Sequence, residues 1–226
     1  MSDILEEVLN DQNEEKRLRF FKKILPIVII FAIFIVIIMI INNRHKDNRI
    51  KNNQKNGDIF VKAISIEMIE GNKDFAFSTL ENLSNTSSNR IKEIALLEQV
   101  AIKISEKKHQ DAKALLEKII QNTEYQEITT AYARISWLSL VIDEENIAKQ
   151  DKEKALTYLK YFNDEEKAFW ATANFIKAIW DIKNDMPDVA KETLKILIAS
   201  NNAPELTKDQ AKALLSNLDS DKDKRI

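Results

Sequence analysis

The chain has 226 residues, with 34 Lys and Arg against 36 Asp and Glu, so no basic field is available to concentrate nucleic acid. Cysteine is absent, which excludes disulfides, thiolate metal sites and a cysteine nucleophile. Only 2 Gly and 3 Pro occur, too few for the turns of a β fold or for phosphate-cradling loops, and an all-α fold is expected.

Residues 1–23 form an N-terminal arm in which Ile4, Leu5, Val8 and Leu9 fall at helical spacing before the pair Phe20 and Phe21. Ile24 to Ile41 then reads "ILPIVIIFAIFIVIIMII", eighteen residues without a charge. As a helix it is about 27 Å long, close to the hydrocarbon core of a bilayer, and its insertion is favourable by about 5 to 8 kcal/mol. The residues after it, Asn42, Asn43 and Arg44, offer no small-residue cleavage site, so an uncleaved membrane anchor is expected rather than an export signal. It contains no ionisable residue and a single small side chain, Ala32, which suits an anchor rather than a transport path.

The flanking charges balance: Lys16, Arg17, Arg19, Lys22 and Lys23 precede the run, and Arg44, Lys46, Arg49, Lys51 and Lys55 follow it. The upstream group lies closer to the membrane edge, which favours a cytosolic N-terminus. Residues 42–58 are expected to form a polar linker, with His45 a solvated residue within it.

Beyond the linker a repeat emerges over residues 59–218. The segments "DFAFSTLENL", "QDAKALLEKI", "EKALTYLKYF" and "DVAKETLKIL" align on Ala76, Ala112, Ala155 and Ala190, each followed by apolar residues four and seven positions on. That spacing describes one helix face on which a small residue lets a neighbouring backbone come close. Each such helix is preceded by a more apolar one: "IFVKAISIEMI", "RIKEIALLEQVAIKI", "EITTAYARISWLSLVI" and "KAFWATANFIKAIWDI". Gly71 and Asn184 are expected to take the left-handed cap conformation in the intervening turns, and Pro187 to open the next helix. Thr207 to Leu218 repeats the spacing with Ala211, Leu215 and Leu218 and is expected to cap the array, leaving 219–226 as a polar tail.

About four helical hairpins at this spacing resemble the tetratricopeptide repeat, although the Trp-x2-Leu-Gly-x2-Tyr signature is missing. One N-terminal anchor followed by such repeats, together with "SDILEEVLNDQNEEKRLRFFKKI", resembles the ancillary Sec translocon subunit family, the YfgM-like proteins. The resemblance implies a bacterial inner-membrane protein with a periplasmic repeat domain. It implies as partners the Sec channel and a periplasmic chaperone or prolyl isomerase. It supplies no catalytic residues.

Chemistry-bearing motifs are sparse. With Gly only at 57 and 71, neither a P-loop nor a dinucleotide motif can form, and His45 and His109 stand alone, so no cofactor, metal or small-molecule substrate is expected. The clusters Asp143, Glu144, Glu145 and Asp164, Glu165, Glu166 sit at helix ends, where solvated capping residues are the expectation. Trp137 and Trp180 are expected to pack, Trp180 on the stripe of Phe169, Ala173 and Ile176. Trp170 shares a helix face with Asn174, Lys177 and Asp181, which makes Trp170, Asn174 and Lys177 the candidate partner-binding residues. The function expected is a non-enzymatic scaffold at the Sec translocon. An envelope-assembly or cell-division scaffold and an enzyme with an acidic site are the alternatives.

Overall fold

The computed structural model describes residues 50–223, all of whose regular structure is helical. The arm 1–23, the apolar run 24–41, the start of the linker and the last three residues lie outside the described residues. Among the described residues no helix is long and apolar enough to cross a membrane. A compact unit begins at Asn56.

Helix α1 runs over 50–70, so the second half of the expected linker is helical. It is followed by α2 (Lys73–Thr86), α3 (Asn89–Ser105), α4 (His109–Gln121), α5 (Glu127–Ile142), α6 (Lys149–Lys160), α7 (Trp170–Lys183), α8 (Pro187–Ala199) and α9 (Glu205–Asp223). Consecutive helices pack on one another, and α5 with α7 and α7 with α9 also touch. The odd-numbered helices up to α7 are the more apolar members of each pair.

The repeated alanines are where two helices meet. Ala76, Ala112, Ala155 and Ala190 are fully buried, as is Ala211 in α9, and the apolar residues four and seven positions after the first four are buried with them. Phe162 lies just past the end of α6 yet remains in the core. The apolar residues collect into three clusters: one around α2 and α3, a large one centred on α5, and one between α7, α8 and α9.

The short turns after α1, α3 and α7 share one backbone device. Each contains a residue with positive φ: Gly71 at 67°, Lys107 at 60° and Asp185 at 59°. After α3 and α7 the next two amides bond back alike, Lys107 N–H to Ile104 O and Lys108 N–H to Lys103 O, then Asp185 N–H to Ile182 O and Met186 N–H to Asp181 O. Asn184 keeps a negative φ of −101° as the C-cap of α7, contrary to expectation, with its Nδ2 donating to Trp180 O at 2.8 Å, and the positive φ falls on Asp185. Pro187 opens α8 as expected.

Helix α5 is held at both ends by its neighbours. At its N-terminus buried Glu93 of α3 accepts from Thr129 Oγ1 at 2.5 Å and from Gln126 N–H at 3.4 Å, a carboxylate at the positive end of the helix dipole. At its C-terminus the Lys183 ammonium of α7 donates to Ile142 O and lies 3.5 Å from Glu144 O.

Candidate functional site

The face expected to meet a partner is turned inward. Trp170 is only 7% exposed and packs with Ala178, Ala190, Leu194 and Leu197 between α7, α8 and α9. Asn174 is half-buried, its Nδ2 donating to Trp170 O at 2.9 Å, and Lys177 is half-buried beside it. The cause is that α7 is covered on two sides. Ala173, Ile176 and Trp180 meet the α5 cluster, while Trp170, Ala171 and Ala178 meet α8 and α9.

Asp181 on that covered face is buried, and its Oδ2 has no hydrogen-bond partner among the described residues. Desolvation pushes its pKa above the usual carboxylate range, with Lys177 opposing. The folded state therefore loses stability as pH rises through this raised pKa, because the unfolded chain ionises the same group freely. Asp181→Asn is expected to raise stability at pH 7 by roughly 1 kcal/mol and to leave it unchanged at pH 3, read from urea midpoints at the two pH values.

Exposed apolar side chains occur on both members of the helix pairs, Phe75, Leu156 and Ile196 on the even-numbered helices among them, and on α3 and α5 they lie away from the packed faces. On α3 the stripe Lys92, Leu96, Gln99 and Lys103 is the floor of a groove walled by α2 and α4, so Ile94, about half exposed, points the other way. On α5 Trp137 points at α4 and α6, where its Nε1 donates to Glu117 and its ring meets Tyr158. Ile128 and Tyr132, 57% and 47% exposed, lie on the far side of the same helix.

A third residue joins them from the connection between α6 and α7. The turn at 164–169 delays the start of α7 to Trp170, three residues later than the apolar pattern suggests. Phe169 caps the helix at φ 65° and ψ 15°, a left-handed conformation that a bulky side chain adopts only under strain. This sets the half-buried Phe169 ring 6.0 Å from that of Tyr132. Phe169, one position before the expected Trp170, is half-buried against the α5 cluster and adjoins the exposed Tyr132.

A polar clasp fixes the same connection to α5. Lys167 Nζ and Tyr161 Oη both donate to Glu127 Oε1, at 2.6 Å and 2.8 Å. The lysine hydrogen bond, then that of the tyrosine, holds the Glu127 carboxyl below its usual range. Arg134 lies with its guanidinium 4.2 Å from the Tyr161 ring centre.

A model of the family described as a protein of unknown function, DUF2659, matches residues 1–218. The chain belongs to the DUF2659 family. This DUF2659 chain is 60% identical over 218 residues to uncharacterized protein RP231 of Rickettsia prowazekii (strain Madrid E), covering 96% of this chain and 99% of that one. No solved structure matches it.

Elsewhere in the DUF2659 chain the ionisable groups serve to join helices. Lys113 of α4, with its side chain 5% exposed, bridges Glu144 and Asp151 at 2.7 Å each. Glu117 receives Lys154 at 2.7 Å, and Lys191 binds Asp219 at 2.5 Å, tying α8 to α9. Of the two acidic clusters, Glu144 is engaged in this way, while Asp164 Oδ1 accepts from Glu166 N–H and Glu165 accepts from Ser200 Oγ. Among the described residues no three His, Asp or Glu side chains converge to hold a metal ion. Local sequence offers no sign of the Lys113 bridge, since its partners lie 31 and 38 residues away.

Proposed function

We propose that this DUF2659 protein is a non-enzymatic, membrane-anchored protein-interaction scaffold, an ancillary subunit of the Sec translocon that links the channel to periplasmic chaperones. In this reading residues 24–41 span the bacterial inner membrane once with the N-terminus in the cytosol. The compact helical unit is then a tetratricopeptide-like solenoid of about four hairpins, closed by α9.

The observation that carries the reading is the exposed apolar residues Ile94 on α3 and Ile128 with Tyr132 on α5, the last beside the half-buried Phe169. Repeated helix pairs offer an extended surface built from one helix of each pair. A strained residue held beside exposed apolar side chains is what a preformed contact site looks like. An anchor would add to this by confining the surface near its partners and raising their effective concentration.

A photoreactive residue in place of Ile128, in the full chain in its own membrane, tests the reading. The crosslinked partners expected are the Sec channel and a periplasmic chaperone or prolyl isomerase. Recovery of cell-division proteins without the channel overturns it in favour of a division scaffold. A C-terminal reporter active only in the cytosol overturns the topology. With the photoreactive residue moved to Ile94, Tyr132→Ala is expected to weaken capture by about 2 kcal/mol, some thirtyfold, with helical content unchanged.

A further inference from the structure

The side of α3 that faces away from Ile94 is open along a groove. Short turns join α3 to α2 and to α4, so both neighbours run back along it and stand as walls over it. The floor from Lys92 to Lys103 is about 16 Å long at a rise of about 1.5 Å per residue, room for about five residues of extended chain at about 3.3 Å each. The groove encloses about 490 Å³.

Its two ends differ in charge. Near the C-terminus of α3 the cation is already engaged, Lys103 Nζ lying 4.0 Å from the centre of the Phe77 ring and 3.4 Å from Glu106 Oε2. Asp111, at the start of α4, belongs to the same end. Toward the N-terminus of α3 stand Lys92 on the floor and Lys118 on the α4 wall, and neither enters an ion pair among the described residues. Asn85 and Asn122 line that end with them. The other acid of the lining, Glu81, stands one turn before Asn85 on α2.

Between the ends the lining suits a main chain. Gln99 is only 2% exposed, and its Nε2 donates to Ser84 Oγ at 3.2 Å and to Ala95 O at 3.3 Å. Both protons of that amide are thereby used, so what Gln99 offers an occupant is Oε1, an acceptor for a peptide N–H. Leu96 on the floor and Leu115 on the α4 wall supply an apolar place for one side chain.

We propose that this groove binds an extended segment of about five residues from a partner protein, with an Asp or Glu side chain set between Lys92 and Lys118. A main-chain N–H of the segment donates to Gln99 Oε1, and an apolar side chain rests on Leu96 and Leu115. Unpaired lysines at one end and an acid at the other fix both the charge of the segment and its direction. A helical segment would close its own main-chain hydrogen bonds and leave Gln99 without a donor. The inference rests on the reading of the chain as a protein-interaction scaffold, and it adds a surface on the far side of α3 from Ile94.

The test titrates the full chain, in detergent micelles, into fluorescent pentapeptide pools and reads anisotropy. The peptides are acetylated and amidated, so that only side chains carry charge. Each pool contains Leu and Asp in every order among uncharged residues, and in two control pools Asn or Lys replaces Asp. The Asp pool is expected to bind roughly tenfold more tightly than the Asn pool, and the Lys pool not at all. Lys92→Gln combined with Lys118→Gln should erase the preference for Asp over Asn and leave binding of the Asn pool unchanged. Ala114→Trp, which sets a large ring on the exposed α4 wall, should abolish binding of every pool with helical content unchanged. Equal binding of the Asp and Asn pools, a preference that survives the double lysine variant, binding undiminished by Ala114→Trp, or no binding of any pool overturns the proposal. Partner capture from Ile128 that persists in those cases removes the groove alone, whereas peptide binding without capture at Ile128 removes the translocon reading and leaves the groove.

Discussion

Trp137→Ala is expected to lower stability by about 4 kcal/mol, the largest loss from any single aromatic truncation in this chain. Trp137 is the largest fully buried side chain, and it lies in the cluster centred on α5. Its ring meets Tyr158 edge-on at a centroid distance of 5.0 Å, and its Nε1 donates to Glu117 Oε1 at 3.2 Å. Truncation opens a cavity between α4, α5 and α6 and removes one donor from a carboxylate that also receives Lys154 at 2.7 Å. Trp137→Phe keeps most of the volume and should cost about 1–2 kcal/mol, which isolates the hydrogen bond and residual packing. The measurement is the urea midpoint of helical circular dichroism at unchanged m-value. A loss below about 1 kcal/mol for the alanine variant would mean that the neighbouring helices collapse into the space.

Lys113→Ala is expected to cost about 3 kcal/mol, because it leaves Glu144 and Asp151 facing each other without their cation. Lys113→Met retains the aliphatic stem, so the difference between the two variants separates packing from charge. Burial works against the Lys113 charge, but hydrogen bonds to Asp151 and then Glu144 outweigh it and hold the pKa above the usual lysine value. The folded chain thus keeps this proton to higher pH than the unfolded chain does. Its contribution is whole below an ordinary lysine pKa of about 10.4 and vanishes as pH rises through the folded value.

Three tyrosines act in the same direction. Burial, more than any other cause, pushes Tyr125, Tyr158 and Tyr161 above the usual phenol range, so the unfolded chain ionises them first. Stability should therefore fall steeply above about pH 10, and less steeply in Lys113→Met, where one of the four groups no longer titrates. Identical alkaline slopes for the two proteins would remove Lys113 from this account.

The sequence carried the pairing of helices well, and its reason is local. Ala76, Ala112, Ala155 and Ala190 mark close approaches that only a small side chain permits, and the apolar residues after them complete a face within two turns. Trp180 was legible for the same reason. Trp170 was not, because Asn174, Lys177 and Asp181 make its face look solvent-facing although α8 and α9 cover it. A helix with neighbours on both sides can bury polar residues that saturate their own backbone, as Asn174 does. Phe169 does pack with the Trp180 stripe as expected, but helical periodicity does not reveal that the backbone turns left-handed there. Nothing local marks Lys113, because the carboxylates that stabilise it lie 31 and 38 residues away.

The turn shared by Gly71, Lys107 and Asp185 has a consequence for how such a chain can change over generations. Three different side chains occupy one backbone conformation, and only glycine adopts it freely. The geometry therefore survives substitutions that cost about 1 kcal/mol each, as long as the helices on either side stay packed. Helix pairs can in this way share a turn that no common residue announces, which leaves the buried alanines as the local mark by which the pairs are read.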